Sequence, residues 1–199
     1  MNKRNFSWRY TDDPYKILIA EILLRRTTST QVNSVYEKFM EKYYEPLSII
    51  NIPLDKLEND LKPLGIYHIK AVQLKQMANI LLSKHKNSVP NSEKELLELP
   101  GVNKYISNAV LCFAYNKKVP IVDTNIARIY SRIYYKEEKS NNNIDFNLWK
   151  VARLHLPQIR YKDYNLALLD LGSKICKVKH PLCNICPVIQ FCGYHRERQ

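Results

Sequence analysis

Cys176-Lys177-Val178-Lys179-His180-Pro181-Leu182-Cys183-Asn184-Ile185-Cys186-Pro187-Val188-Ile189-Gln190-Phe191-Cys192 holds four of the chain's five cysteines at the spacing C-x6-C-x2-C-x5-C. Four thiols in so short a loop either pair as disulfides or ligate a metal. An all-cysteine set is the usual way to hold a cubane iron–sulfur cluster, and zinc takes four cysteines as well. Structural zinc ribbons present two C-x2-C knuckles far apart, whereas only Cys183 and Cys186 form such a pair here, so the spacing favours iron–sulfur and leaves zinc open. Disulfides need an oxidising compartment, and the opening residues Met-Asn-Lys-Arg-Asn-Phe-Ser-Trp have no apolar core for a secretory signal. No stretch approaches the apolar length of a membrane span. The expectation is a soluble, cytoplasmic protein with reduced thiols and no membrane partner. Cys112, inside Ala109-Val110-Leu111-Cys112-Phe113-Ala114, reads as a small buried side chain.

Upstream of the cysteines the pattern is helix after helix. Asp13 and Pro14 make a cap and first turn for the run Ile17 to Leu24, which is apolar nearly all round and so predicts burial on most sides. From Thr30, the residues Val32, Val35, Tyr36, Phe39, Met40 and Tyr43 recur at the three-and-four spacing of an amphipathic helix, and Leu54, Leu57 and Leu61 repeat it before Pro63 interrupts. A longer helix is predicted from about Tyr67 to Leu82, Ser92 with Glu95 makes a capping box, Gly101 ends the short helix that follows, and Asp123 caps another through Ile126, Ile129 and Ile133. Later helices are predicted from about Phe146 and Tyr164, and the polar stretch Lys136 to Asn143 reads as an exposed loop. Strand alternation is absent, so the fold class is all-α.

With 31 Lys and Arg against 19 Asp and Glu in 199 residues, the formal charge of +12 points to a polyanion, most simply nucleic acid. Leu99-Pro100-Gly101-Val102-Asn103 adds to this, because a tight turn between two helices aims backbone N–H groups and a positive helix end outward, where a phosphate oxygen fits without any base being read. Two carboxylates also stand out. Glu21 lies inside an apolar helical run, where an ionised group is costly unless paired or tuned, or else sits on a narrow solvated stripe or caps a neighbouring helix. Asp123, in Val122-Asp123-Thr124-Asn125-Ile126, has the place of an ordinary helix cap.

The hairpin Leu-Pro-Gly-Val, the Val-Asp-Thr-Asn-Ile segment whose aspartate lies eighteen residues beyond Tyr105 (123 minus 105), and the terminal cysteine run resemble, in that order, the helix–hairpin–helix DNA glycosylases that carry a 4Fe–4S cluster. Endonuclease III, the adenine-mismatch glycosylase MutY and the thymine-mismatch glycosylase Mig belong to this superfamily, and the likeness runs from about Phe6 to Cys192. It implies a six-helix barrel lobe bearing the hairpin at 13–117 and an iron–sulfur cluster lobe made of 1–12 and 118–199. Cys176, Cys183, Cys186 and Cys192 would ligate the cluster.

The resemblance also implies roles. Bifunctional members have a lysine just after the hairpin whose amine attacks the sugar; here the position holds Tyr105, which cannot form an imine, and Lys104 is one residue out of register. Mig-like members have tyrosine there, and Ala20-Glu21-Ile22-Leu23-Leu24-Arg25-Arg26-Thr27-Thr28 is similar to the same branch. MutY proteins usually continue into an 8-oxoguanine-sensing domain, whereas this chain stops seven residues after Cys192 (199 minus 192). The implied activity is monofunctional removal of thymine, and of uracil, opposite guanine in double-stranded DNA, by a monomer. Asp123 would be the catalytic carboxylate, Glu21 would bind the base edge or position water, and Tyr105 would line the pocket. Ile66 would be the intercalating wedge, Arg26 and Thr27 would face the orphaned guanine, and Leu99, Gly101, Asn103, Lys104, Lys177 and Lys179 would meet the DNA backbone. Asn103 stands where the hairpin normally has glycine, and asparagine suits a left-handed backbone better than most residues do. A MutY-like adenine glycosylase and a non-catalytic, redox-responsive iron–sulfur DNA-binding protein are the alternatives.

Overall fold

Asp13 starts the first long helix because its Oδ1 accepts from the amides of Tyr15 and Lys16 at 2.8 and 3.2 Å, and Pro14 supplies a preset first turn. The computed structural model describes residues 4–135 and 146–198, so the loop expected at Lys136 to Asn143 lies outside the described residues. Among those described the regular structure is helical, with no strand.

One compact unit comprises residues 5–117. Its helix α1 (Pro14–Leu24) buries every residue from Ile17 to Leu23, as its all-round apolar sequence predicts. Helix α2 (Ser29–Lys42) turns Val32, Tyr36, Phe39 and Met40 inward, and its start is a true capping box between Thr28 and Gln31. Helix α3 (Pro46–Asn51) escapes the periodicity reading, since six residues are too few to show a 3.6-residue repeat. Helix α4 (Leu54–Leu61) runs into a 3-10 turn at Lys62–Leu64, where Pro63 ends the regular pattern. Helix α5 (Tyr67–His85), α6 (Glu93–Leu97) and α7 (Lys104–Phe113) follow. Ser92 caps α6 through the Glu95 amide and gives its own hydroxyl proton to the Glu95 carboxylate.

The second unit comprises Arg4 and the described residues of 118–199. Helix α8 (Thr124–Tyr130) passes into a π-helical turn at Ser131–Tyr135, followed by α9 (Phe146–Leu154), α10 (Tyr161–Lys174) and, after the cysteine loop, α11 (Gly193–Arg196). Ile129 of α8 packs with Leu171 and Ile175, and Ile133, Leu168, Cys176, Cys186 and Val188 close over them. Arg4 Nε meets Asp170 Oδ1 at 2.6 Å, which compensates a carboxylate that is otherwise buried. Residues 5–12, assigned from the sequence to the cluster lobe, group instead with 13–117. The cause is Trp8, which is buried, stacks on Phe6 at 4.6 Å and meets Tyr36 of α2 edge-on at 5.1 Å. No helix among the described residues is long and apolar enough to cross a membrane.

Leu18 has no exposed surface, so Leu18→Ala leaves a cavity in the first unit. The expected loss of unfolding free energy is on the order of 2–5 kcal/mol. Denaturant titration checks it, and a loss below about 1 kcal/mol would show that the site collapses without strain.

Candidate functional site

Within the first unit, α1 carries Glu21 at 6 % exposure, which removes the solvated-stripe reading and leaves a buried carboxyl on an apolar helix. The same helix ends at Arg25, and Arg26 beyond it is exposed with φ of 52°, a left-handed conformation uncommon for a residue with a side chain. Thr27, half-buried, places its hydroxyl 3.0 Å from the Leu64 carbonyl and 3.2 Å from that of Arg25. At the facing loop Gly65 and Ile66 also have positive φ, 62° and 42°, and Ile66 is 40 % exposed, so it is not ordinary core.

The hairpin divides its labour. Leu99 is 2 % exposed, so its side chain anchors the turn in the core. Gly101 takes φ of 86°, which an L side chain rarely adopts. Asn103 is extended, with φ of −110° and ψ of 179°, and its Oδ1 accepts from the Ile106 amide at 3.0 Å. The expected need for left-handed tolerance at 103 is thereby corrected: asparagine serves as the N-cap of α7, and the left-handed residue is Gly101. Lys104 is exposed and Tyr105 half-buried on the first turn of α7.

In the second unit Asp123 is partly exposed and doubly engaged. Its Oδ1 accepts from the Ile126 amide at 2.8 Å, the ordinary cap bond, while its Oδ2 accepts from Asn125 Nδ2 at 2.8 Å. Asn125 Oδ1 in turn accepts from Arg128 Nη2 at 3.0 Å, and that guanidinium also donates to the carbonyls of Gly172 and Cys176, each at 2.8 Å. A chain of hydrogen bonds thus runs from the aspartate to the first cysteine of the terminal run. Gly172 is required for it, because a Cβ there would stand 2.7 Å from Asn125 Cβ and 3.3 Å from its backbone.

The four cysteines of the run share one cavity with Arg132, Ile175, Pro181, Leu182, Ile189, Tyr194 and His195, and all four are free thiols. Burial, together with the charge of the other three, raises the Cys186 thiol pKa, with the Val188 amide opposing it. Among the described residues no group of three or more His, Cys, Asp or Glu stands close enough to hold a metal ion. Arg132, which sequence reasoning missed, is 2 % exposed and organises the loop: Nη1 lies 3.3 Å from Cys176 Sγ and 2.7 Å from the Lys177 carbonyl, Nη2 lies 3.0 Å from that of Val178, and its guanidinium covers the Tyr194 ring at 4.7 Å. The available signal was weak, an arginine between the helix-spaced apolar residues Ile129 and Ile133. Lys177 and Lys179 of this loop are exposed.

Residues 19–154 match the HhH-GPD superfamily of base excision DNA repair proteins. The chain belongs to this superfamily. A thymine/uracil-DNA glycosylase of Methanothermobacter thermautotrophicus is 38 % identical over 98 % of the chain and 89 % of its own length. A solved thermostable thymine-DNA glycosylase superposes with a TM-score of 0.91 at 38 % identity, covering 98 % of this chain and 89 % of that one. An endonuclease III trapped as a covalent DNA intermediate gives 0.84 at 28 % identity, covering 94 % and 86 %. The fold is that of an HhH-GPD DNA glycosylase.

Gly172→Ala forces Asn125 to move, at an expected cost of roughly 1–3 kcal/mol from overpacking. Calorimetry should register the lower melting temperature, and an unchanged one would show that α10 and Asn125 can separate freely.

Proposed function

We propose that this HhH-GPD protein extrudes thymine or uracil mispaired with guanine from double-stranded DNA and hydrolyses its N-glycosidic bond, leaving an abasic site and an uncut strand. The observation that carries this is Asp123: a carboxylate partly open to solvent and held in orientation by Ile126 N and Asn125 Nδ2, in a chain whose position 105 is tyrosine. Cleavage of an N-glycosidic bond builds cationic character on the sugar, and a preorganised carboxylate beneath it lowers that barrier. Both Asp123 bonds are to neutral donors, so they fix the group without neutralising its charge.

Extrusion costs a few kcal/mol, less for a mismatch, and Ile66 is the residue that fills the gap. Its exposure and the strained backbone beneath it support that role. Arg26 and Thr27 face the orphaned guanine, the outward main chain of 99–103 and Lys104 bind phosphate, and Lys177 and Lys179 extend the basic surface. Glu21, buried near the end of α1, binds the base edge or positions the attacking water, and Tyr105 lines the pocket. Tyrosine offers no amine to C1′ of the sugar, so the reaction stops at hydrolysis. The 38 % identity to a thymine/uracil-DNA glycosylase supports the choice of pyrimidine.

Cys176, Cys183, Cys186 and Cys192 would hold a 4Fe–4S cluster. The donor set is of the kind that holds one: four free thiols line a single cavity, and an all-cysteine set of four is the usual ligand set of such a cluster. The cluster supplies a rigid tie for the loop that carries Lys177 and Lys179.

A panel of labelled duplexes tests the reading. T·G and U·G pairs should yield alkali-labile sites with no strand break before alkali, and A opposite 8-oxoguanine should remain intact; cleavage of adenine alone would move the protein to the other branch. Asp123→Asn should lower single-turnover excision by roughly 100- to 1,000-fold with duplex affinity retained. Equal weakening of affinity would remove Asp123 from the chemistry. Tyr105→Lys restores an amine at the decisive position, and borohydride should then trap a covalent protein–DNA adduct that the unaltered chain does not form.

A further inference from the structure

We propose that Arg25, Lys70 and Gln73 form a partly buried clamp that sets the register of three DNA-facing loops, 25–28, 64–66 and 99–103, and are positioning residues for base extrusion. The proposal rests on the glycosylase reading above. Each of the three loops contains backbone in the left-handed region: Arg26 at 52°, Gly65 and Ile66 at 62° and 42°, and Gly101 at 86°. For residues with a side chain such conformations cost on the order of 1–3 kcal/mol and persist only where the surroundings over-determine them.

The clamp supplies what the loops lack. Lys70 is 1 % exposed on α5, and its Nζ donates to the Arg25 carbonyl at 2.6 Å, the last peptide before the strained Arg26. Arg25 Nη1 reaches in two directions, to Gln73 Oε1 at 3.1 Å and to the Gly101 carbonyl at 3.0 Å. Gln73 and Lys70 are three residues apart and so share one face of α5, the helix that Ile66 begins. The Thr27 hydroxyl, between the carbonyls of Arg25 and Leu64, ties the first loop to the second. Gly101 is pressed against the clamp closely enough that a Cβ would lie 3.0 Å from Gln73 Oε1 and 3.1 Å from Arg25 Nη1. One guanidinium, one ammonium and the Thr27 hydroxyl together therefore tie the wedge loop, the loop assigned to the orphaned base and the phosphate-binding hairpin to one another.

The arrangement is expensive, which separates it from incidental packing. Burial, with the Arg25 charge adding to it, pulls the Lys70 ammonium down to about 8. An apolar side chain would fill the same space without that cost, but it could not hold the Arg25 carbonyl. Extrusion requires the wedge to enter while the hairpin holds the backbone, and a misplacement of about 1 Å in such a geometry can cost as much as 100-fold in rate.

The test uses the full chain and a U·G duplex with 2-aminopurine beside the uracil, whose fluorescence reports extrusion in stopped flow. Arg25→Ala and Gln73→Leu should each slow extrusion by about tenfold, beyond what any change in affinity for an undamaged duplex or in melting temperature accounts for. Arg25→Lys, whose single nitrogen can still meet both acceptors, should recover most of the rate. If Arg25→Ala fails to fold, Gln73→Leu, which removes an uncharged acceptor, carries the measurement. An unchanged extrusion rate in a folded variant, or a loss that only tracks the folded fraction, overturns the clamp. An unaltered chain that extrudes uracil normally and releases none overturns the glycosylase reading alone, and one that neither extrudes nor releases it overturns both.

Discussion

The buried guanidinium of Arg128 is the constraint on which the second unit turns. A cation taken out of water is tolerated only when its donors are met, and here the acceptors are Asn125 Oδ1, the Gly172 carbonyl and the Cys176 carbonyl. Because Asn125 uses its amide nitrogen on Asp123, the same satisfied network orients the carboxylate and seats the first cysteine. Helix capping and the proposed catalysis are consequently two uses of a single geometry: Oδ1 is occupied by the cap bond, and Oδ2 is the oxygen that Asn125 aims.

Arg132, one turn further on, repeats the strategy. Its guanidinium meets the sulfur of Cys176 and the carbonyls of Lys177 and Val178 while lying over the Tyr194 ring, so the loop between the first two cysteines is shaped from inside by a cation that solvent does not reach. Lys177 and Lys179 stay on the surface because main-chain carbonyls beside them, and not their side chains, make the internal bonds. In the first unit the side chains of Arg25 and Lys70 likewise meet main-chain carbonyls, those of Gly101 and Arg25. Long cationic side chains are suited to such work, since one head group can meet acceptors on segments far apart in sequence.

Much of the scaffold was legible because its signals are local. The Asp13–Pro14 start, the inward stripe of α2, the break at Pro63 and the cap at Asp123 each depend on residues within a turn or two of one another. The cysteine spacing was legible for the same reason. Helix α3 was lost because it is shorter than two turns, and the grouping of residues 5–12 with 13–117 rests on Trp8 meeting Tyr36, a contact no periodicity encodes. At Asn103 the residue type was noted and its use was mistaken, since asparagine serves both left-handed turns and N-caps, and only the backbone angle tells them apart.

By itself the amino-acid order determined the all-α class, the four-thiol loop, the absence of an amine at 105 and the candidacy of Asp123, because helix periodicity, ligand spacing and side-chain chemistry are properties of residue type and local separation. Only the tertiary structure decided that Glu21 is buried, that Ile66 is exposed over strained backbone, and that Arg25, Lys70, Arg128 and Arg132 are internal ties. Whether a charged side chain faces water or a distant carbonyl is fixed by which segments fold against each other, and that information is spread over separations such as the 45 residues between Arg25 and Lys70 and the 48 between Arg128 and Cys176.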